Sequence, residues 1–321
     1  MTLFSIFFVL LIEQFRPLRA DNPIYGWIVV LAARVEHSFN AGRAEHGRLA
    51  WLVMMLALVL PTLLIYWLCV LACPIAQLAW TIVIVYLTLG FRHYSHYFTA
   101  IQLALDNSDL TEARRLLAEW TRQDVLELDA QEISRLAVEN ALITTHRHVF
   151  GVFFWYAVLS VVGLGPVGAV VYRLAEYVQR RWQREQGADG GVSSLLAEVA
   201  QRAWVGLDWL PARATALGFA IVGSFEDAMD GWRNHAQKFP QDNDGVILAA
   251  TAGAINVRLG GAGLNTADEE DAGMAAQTSG ASTPGQPAQQ GHLASVVGLV
   301  WRSVIMWLVL VALLTMANLM G

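Results

Sequence analysis

A long run without charge is the feature that most constrains this chain. No charged residue lies between Arg48 and Arg92, and Pro74 divides the run into apolar stretches at about 50–72 and 75–91. A helix of about 20 apolar residues, at about 1.5 Å of rise per residue, spans the roughly 30 Å hydrocarbon core of a bilayer. Because the backbone finds no water there, both stretches are predicted to be membrane-spanning helices.

Three further apolar blocks have the same character, namely residues 1–15, 149–172 and 293–320. The first lacks the basic start and the cleavage site of a signal peptide, so it is predicted to remain as a span. Charged residues make up 15% of the 321 residues, whereas soluble domains carry about 25%. The chain is therefore predicted to be mainly α, a polytopic integral membrane helix bundle with four to six spanning or re-entrant segments.

Arginine distribution orients part of this bundle. Arginines follow the first apolar block and recur through 92–148, and the excess of basic residues on cytoplasmic loops predicts that this part is cytoplasmic. The block 149–172 does not fit a simple crossing, because the arginines between 173 and 184 would then lie outside. Glycines and a proline at 163–166 interrupt this block, which favours a kinked or re-entrant element.

Residues 105–147 carry the signals of two water-soluble helices. Asp109 with Glu112, and Asp129 with Glu132, are each an acceptor side chain followed three residues later by glutamate, and each precedes apolar residues at helical spacing. This pattern predicts a helical hairpin, and each helix has one apolar face that must pack against a partner.

Composition divides the chain into six segments. Residues 260–292 are rich in small and polar residues and contain too few large apolar side chains to offset the entropy of ordering. The predicted segments are N-terminal membrane spans at 1–91, a soluble helical hairpin at 92–148, membrane or re-entrant segments at 149–223, a small-residue-rich soluble segment at 224–262, a disordered linker at 263–292 and a C-terminal membrane span at 293–321.

Few residues can be assigned a metal-binding, ligand-binding or catalytic role from their position in the sequence alone. His93 and His96 share a helix face, but the aromatic residues around them favour an interfacial belt, and no metal site is predicted. Asp208 and Arg213 lie in an apolar stretch at 203–223, which is predicted to be an interfacial helix, a re-entrant segment or a true span. The two side chains are functional groups, an internal ion pair, or side chains that extend to the membrane surface. Small residues at 249–261 indicate that a backbone or a ligand approaches closely.

Seven pieces of the chain form an ordered pattern: 96–105, 109–116, Asp124, 128–129, 138–139, 210–216 and 252–261. The most specific pieces are Pro-Ala-Arg at 211–213 and Leu-Gly-Gly at 259–261. Together they resemble the CobD/CbiB cobalamin-biosynthesis family and its relative AmpE, a membrane protein tied to β-lactamase induction. The opening residues 1–4 and the sequence at 92–94 are more similar to AmpE.

The resemblance implies a multi-pass protein of the bacterial inner membrane. In the synthase branch, such a protein joins an aminopropanol unit, free or phosphorylated, to the propionate of adenosylcobyric acid by ATP-dependent amide formation. That chemistry needs groups that neutralise phosphate and acidic ligands for Mg²⁺. ATP and Mg²⁺ are expected only if this activity is present.

The chain departs from the synthase pattern in three stretches. Where the synthases carry Glu-Asn-x-x-Asp-Gly, this chain has Ile-Thr-Thr-His-Arg-His at 143–148. Where they carry Asn-Thr-Leu-Asp-Ser, it has Glu-Tyr-Val-Gln-Arg at 176–180. Where they carry a pair of aspartates, it has Trp204 and Val205.

These departures favour the hypothesis of a divergent, AmpE-like member without catalysis, which acts by binding or signalling. The alternative is an active adenosylcobinamide-phosphate synthase in which Arg213 and Arg258 bind phosphate, while Asp124 and Glu139 serve metal or amine. Expected partners are the lipid bilayer and either a corrinoid or a membrane protein; nucleic acid is not expected, since no basic patch with interleaved aromatic residues occurs. The candidate ligand-binding residues are Asp124, Glu139, Asp208, Arg213 and Arg258.

Overall fold

Helices account for nearly all of the described chain. The computed structural model describes residues 2–15, 23–39, 44–122, 125, 127–185, 194–261 and 282–320. The helices are α1 (Thr2–Phe15), α2 (Pro23–Phe39), α3 (Ala44–Ala72), α4 (Pro74–Thr88), α5 (Phe91–Asp106), α6 (Leu110–Thr121), α7 (Ala130–Thr145), α8 (Gly151–Val161), α9 (Val167–Arg184), α10 (Ser194–Val222), α11 (Phe225–His235), α12 (Asp242–Ile255) and α13 (Gln290–Met320). No β-strand occurs in these ranges, which confirms the prediction of a mainly α fold.

Three helices are long and apolar enough to cross a membrane: His46–Ala72 within α3, Ser194–Val222, and Gln290–Leu313 within α13. The exposed surface of α3 has an apolar stripe at helical spacing, formed by Leu60, Leu64, Leu68 and Leu71, each more than half exposed. A stripe of this kind is stable against lipid and costly in water. The chain is therefore a membrane protein. The predicted span at about 50–72 lies within α3, and the apolar stretch 203–223, for which a span was one of three alternatives, lies within α10.

The apolar block at 149–172 is not one helix. A π-helical turn at His146–Phe150 precedes α8, and α8 ends at Val161, before α9 begins at Val167. Gly163 and Gly165 both have positive φ, 79° and 57°, which side chains with a Cβ rarely adopt. The predicted interruption at 163–166 is confirmed as a turn between two helices.

The described residues form two compact units. Unit 1 comprises Met1–His93, Arg147–Pro211 and Val311–Gly321. Unit 2 comprises Tyr94–His146 and Ala212–Leu310. Each unit has its own buried apolar core and its own buried polar centre.

Within unit 1, α9 packs against α3, α4 and α8, and α4 packs against α1 and α3. The amphipathic α9 buries Tyr172 and Trp182 completely. Its polar edge holds α2, because Nε and Nη2 of Arg181 donate to the two carboxylate oxygens of Glu36, at 2.6 and 3.0 Å. The indole nitrogen of Trp182 donates to the same carboxylate at 3.0 Å. Such a bidentate pair sets orientation as well as contributing energy.

Within unit 2, α6 and α7 form the predicted hairpin. Asp109 accepts a hydrogen bond from the amide of Glu112 at 3.0 Å, and Asp129 accepts one from the amide of Glu132 at 2.8 Å. Both side chains therefore satisfy backbone donors that the first helical turn leaves without partners. The two predicted helix starts are confirmed.

The small-residue segment in α12 brings two backbones together. α11 and α12 pack against each other, and a Cβ added at Gly253 would overlap the carbonyl oxygen of Asp227. After α12, residues 256–260 pair with 282–286 through the bridges Val257–Gln286 and Gly260–Ser282. The chain at 282–286, at the end of the predicted linker, is thus held against the C-terminal end of α12.

We expect Gly253→Ala to destabilise unit 2 by about 1–3 kcal/mol, because overpacking at a backbone contact forces the helices apart. The measurement is the midpoint of thermal unfolding of the purified chain in detergent. Gly298→Ala in α13 is the matched control, since nothing lies within 4 Å of a Cβ added there. Equal midpoints for the two variants would show that α11 and α12 do not approach as described.

Candidate functional site

A buried carboxylate on α7 forms the polar centre of unit 2. Seven consecutive residues of α7, from Ile133 to Glu139, are buried, so every face of this part of the helix is covered. Arg135 donates to both carboxylate oxygens of Glu139, at 3.0 and 3.2 Å. Arg135 also binds Glu132 at 2.5 Å. The Glu139 centre thus consists of one arginine between two glutamates on one helix.

Glu139 also holds the chain that follows α12. The amide of Gly260 donates to Oε1 of Glu139 at 2.7 Å, and Gly260 has a φ of 86°. The backbone amide of Thr283 donates to the carbonyl of the neighbouring Leu259 at 2.8 Å, and the hydroxyl of Thr283 accepts from the amide of Leu259 at 2.8 Å. Two of the pieces predicted to matter, 138–139 and 259–261, therefore meet at one hydrogen bond between residues far apart in the chain.

Burial raises the pKa of Glu139 above its ordinary value of 4.5, while the charge of Arg135 and the amide of Gly260 oppose that rise. Glu139 is 4% exposed and Arg135 is 5% exposed. Both oxygens of the carboxylate are already engaged, Oε1 by Gly260 and Arg135, and Oε2 by Arg135. This arrangement suits a positioning role better than direct ligation of a metal.

Arg258 lies in the segment that Glu139 anchors. Its amide donates to the carbonyl of Gln286 at 2.7 Å, whereas its side chain is exposed. The described residues supply no ion-pair partner for this guanidinium. Asp124, another candidate ligand residue, lies outside the described residues.

The third candidate, Arg213, is placed near the N-terminal end of α12. Its guanidinium donates to the side chain of Asn243 at 3.2 Å. Close to it in sequence, Thr215 forms a 2.9 Å hydrogen bond with the fully buried His146, at the end of α7. Arg213 contacts the first turn of α12, whereas the Glu139 centre contacts Gly260 beyond the C-terminal end of that helix. The two contacts therefore lie at opposite ends of α12, which is about 21 Å long at about 1.5 Å per residue.

Asp208 belongs to a polar centre in unit 1. It is fully buried and accepts a hydrogen bond from the hydroxyl of Tyr172 at 2.7 Å. The ring of Tyr172 packs on Trp204 with centroids 5.1 Å apart, and the guanidinium of Arg147 lies 5.9 Å from the centre of the same indole. Asp208 and Arg213 therefore bind different partners.

A second buried glutamate lies on α9, one turn beyond Tyr172. Glu176 is 1% exposed, and it binds Arg173 at 2.8 Å and Arg180 at 2.5 Å. Here one glutamate lies between two arginines, the reverse of the Glu139 centre. The pairing spacing, i−3 and i+4, places all three side chains on one face of the helix.

Part of each stretch that departs from the synthase pattern lies in unit 1, namely Arg147, Arg180 and Trp204. Arg147 lies over Trp204, and the charge of Arg147 acts on Arg180. Arg147 and Arg180, from two of the departures, and Trp204, from the third, thus lie in unit 1 together with the buried carboxylate of Glu176. Among the described residues, no group of three His, Cys, Asp or Glu side chains is placed to hold a metal ion. The described residues therefore do not by themselves supply the acidic ligand set that Mg²⁺ prefers.

Sequence reasoning missed Arg135, Glu176 and Tyr172. The signal for the first two was present, as glutamate and arginine at spacings of three and four residues. Tyr172 had no signal, because its partner Asp208 is on another helix.

Comparison with known proteins places the chain among cobalamin-biosynthesis proteins. A family model described as CobD/Cbib protein matches residues 22–300. Cobalamin biosynthesis protein CobD of Stutzerimonas stutzeri is 33% identical over 282 residues, which are 87% of this chain and 86% of that protein. The protein of the same name from Chromobacterium violaceum is 31% identical over 59% of this chain and 57% of its own length. No solved structure matches.

The hypothesis of an AmpE-like protein without catalysis is wrong, because these relatives contradict it. That hypothesis rested on the loss of acidic residues in three stretches, whereas the matching proteins are named for cobalamin biosynthesis. Loss of carboxylates does not remove the means to bind phosphate, because arginine binds phosphate directly and in a bidentate manner.

We expect Glu139→Ala to cost about 3–5 kcal/mol of stability, because it leaves the buried Arg135 with a single carboxylate partner. Thermal unfolding in detergent measures the change. Glu119→Ala is a matched control, since Glu112, Arg115 and Glu119 on α6 have the same spacing as the residues of the Glu139 centre but are exposed. The midpoint of thermal unfolding of Glu119→Ala is expected to stay near that of the wild type.

A double-mutant cycle tests the same pair. Arg135→Leu combined with Glu139→Leu should cost less than the sum of the two single changes, because no charge remains buried alone. Strictly additive costs would show that the two side chains do not interact.

Proposed function

This chain belongs to the CobD/CbiB family, and we propose that it is the membrane-bound synthase that joins an aminopropanol unit, free or phosphorylated, to the propionate of adenosylcobyric acid. The observation that carries the proposal is the hydrogen bond from the amide of Gly260 to Glu139. It joins two of the pieces that resemble the family and orders the segment that presents Arg258.

The reaction forms an amide from a carboxylate and an amine. ATP first transfers its terminal phosphoryl group to the propionate, which gives an acyl phosphate and ADP. The amine nitrogen then attacks the acyl carbon; a C–N bond forms, the C–O bond to phosphate breaks, and inorganic phosphate and a proton are released. The protein must therefore place two anions side by side and offset their repulsion.

We assign the phosphate contact to Arg258, whose guanidinium is exposed beside the Gly260 turn. Glu139 positions this turn through the backbone and does not contact the substrate. Arg213, near the other end of α12, is assigned to a separate anionic group of the substrates. Asp124 remains the candidate for the amine, whereas Asp208 is fully buried against Tyr172 in unit 1 and is not assigned to the substrates.

The proposal also gives the chain an orientation. A multi-pass protein of the bacterial inner membrane, with the α6–α7 hairpin in the cytoplasm, would present unit 2 where ATP is available. The arginine content of 92–148 supports this orientation through the positive-inside tendency. The corrinoid is the proposed partner, and the lipid bilayer is the surroundings.

We expect this chain to restore cobalamin-dependent growth to a strain that lacks its own synthase and is supplied with cobyric acid. Arg258→Ala should lower the rate of amide formation in isolated membranes by roughly 10–100-fold, since a hydrogen bond to a charged group contributes about 1.5–3 kcal/mol. Arg233→Ala, which removes an exposed arginine from α11, is the control and should retain the wild-type rate.

Different outcomes test the synthase activity and the role of Arg258. Wild-type chain that is present in the membrane but supports no growth and no amide formation would overturn the synthase. Growth with equal rates for Arg258→Ala and Arg233→Ala would leave the synthase in place and exclude Arg258 from the phosphate contact.

A further inference from the structure

The proposed reaction assigns no role to the ordered segment near the end of the predicted linker. Residues 282–286, which we call the Thr283 segment, lie beside the Gly260 turn at 258–260, and Gly260 forms a bridge with Ser282. The Gly260 turn presents Arg258, the residue assigned to the phosphate contact. Whatever holds the backbone of this turn therefore also limits where the guanidinium of Arg258 can lie.

Three successive amides of the Gly260 turn donate to acceptors that are far away in the chain. The acceptors are a backbone carbonyl, a hydroxyl and a carboxylate, and the pairs are Arg258 with Gln286 at 2.7 Å, Leu259 with Thr283 at 2.8 Å and Gly260 with Glu139 at 2.7 Å. Two of the three acceptors belong to the Thr283 segment. Glu139 therefore does not define the turn alone.

Thr283 satisfies both backbone polar groups of Leu259. Its amide donates to the carbonyl of Leu259 at 2.8 Å, and its hydroxyl accepts from the amide of Leu259 and donates to the same carbonyl at 3.2 Å. Thr283 is 3% exposed and Leu259 is fully buried, so water is poorly placed to replace the hydroxyl. Because a buried N–H without an acceptor is costly, the side chain of Thr283 fixes the residue that lies between Arg258 and Gly260.

Gly285 allows the Thr283 segment to lie directly against the backbone that carries Arg258. Its φ is 133°, a conformation that residues with a Cβ rarely adopt. A Cβ added at Gly285 would lie 2.8 Å from the carbonyl carbon of Val257 and 3.0 Å from the amide nitrogen of Arg258. A side chain at this position would therefore push the Thr283 segment and the turn apart.

We propose that Thr283 is a positioning residue for amide formation, which holds the Gly260 turn so that Arg258 meets the phosphate; this role rests on the proposed function. Thr283 is buried and does not contact the substrates. It acts through the backbone of Leu259, as Glu139 acts through that of Gly260. An arginine on a backbone that is already ordered makes its contact without the entropic cost of ordering that segment.

The first test measures amide hydrogen exchange of the full chain in detergent, by mass spectrometry of peptides that cover residues 256–261. Thr283→Val removes the acceptor for Leu259, and these peptides should exchange at least about fivefold faster, the factor expected for the loss of one neutral hydrogen bond. Thr283→Ser keeps the hydroxyl and should exchange as the wild type does. Unchanged exchange in Thr283→Val would overturn the proposal.

Thr251→Val is the matched control for this measurement. Thr251 is also a fully buried threonine of unit 2, but its hydroxyl donates to the carbonyl of Ile247 within α12 at 2.7 Å. Its removal should leave exchange of residues 256–261 unchanged. Acceleration equal to that of Thr283→Val would show that any loss of a buried hydroxyl loosens the turn, and the specific role of Thr283 would fail.

The second test measures the rate of amide formation in isolated membranes. Thr283→Val should lower this rate by about 5–10-fold, whereas Thr283→Ser and Thr251→Val should retain the wild-type rate. In an Arg258→Ala background, Thr283→Val should cause no further loss, because Thr283 acts through Arg258. The same loss in both backgrounds would show a general structural role and would overturn the positioning role.

Gly285→Ala reaches the same turn by a different route, so the test does not depend on one variant. It should speed exchange of residues 256–261 and lower the rate in the wild-type background but not in Arg258→Ala. The exchange measurement needs no substrate. A wild-type chain that forms no amide would overturn the proposed function, whereas an active chain whose exchange is unchanged by Thr283→Val and Gly285→Ala would overturn only the role of the Thr283 segment.

Discussion

Burial of a carboxylate beside arginines of its own helix is the interaction on which both units depend. Removing an ionised group from water costs several kcal/mol in real proteins, and this cost is offset only by a close, hydrogen-bonded partner. A helix provides such a partner at a spacing of three or four residues. Glu139 and Glu176 both use it, and so α7 and α9 can lie in the middle of their units while they carry charge.

The two centres have opposite polarity, and this decides what each can do. Around Arg135, two glutamates leave an excess of negative charge, which the amide of Gly260 partly satisfies. Both oxygens of Glu139 are therefore occupied by hydrogen bonds, and the Glu139 centre holds the backbone turn at Gly260 in place. Around Glu176 the composition is reversed, since one carboxylate lies between two arginines, and the side chain of one of them, Arg180, is 39% exposed.

Local patterns in the sequence predicted the caps at Asp109 and Asp129, the break at 163–166 and the close backbone approach in α12, because each depends on residues near in the chain. The same patterns could not identify the Glu139 centre. Residues 112, 115 and 119 on α6 have the spacing of 132, 135 and 139 on α7, yet the first set is exposed and the second is buried. The difference lies in packing: α6 buries one face, whereas α7 is covered on every side. Burial of this kind comes from contacts between distant segments, which no window of sequence contains.

Several pieces that resemble the CobD/CbiB family lie in unit 2, whereas two of the stretches that depart from the synthase pattern lie in unit 1. The pieces at 109–116, 138–139 and 252–261 lie in unit 2, whereas the departures at 176–180 and 204–205 lie in unit 1. A change that exchanged acidic for basic groups singly would leave an unbalanced buried charge and would be costly. In unit 1 the arginines of the departing stretches have partners, since Arg147 lies on Trp204 and Arg180 binds Glu176. Unit 2 therefore holds the family-like frame in which Glu139 anchors Gly260 beside Arg258, while in unit 1 the arginines of the departing stretches have their partners within that unit.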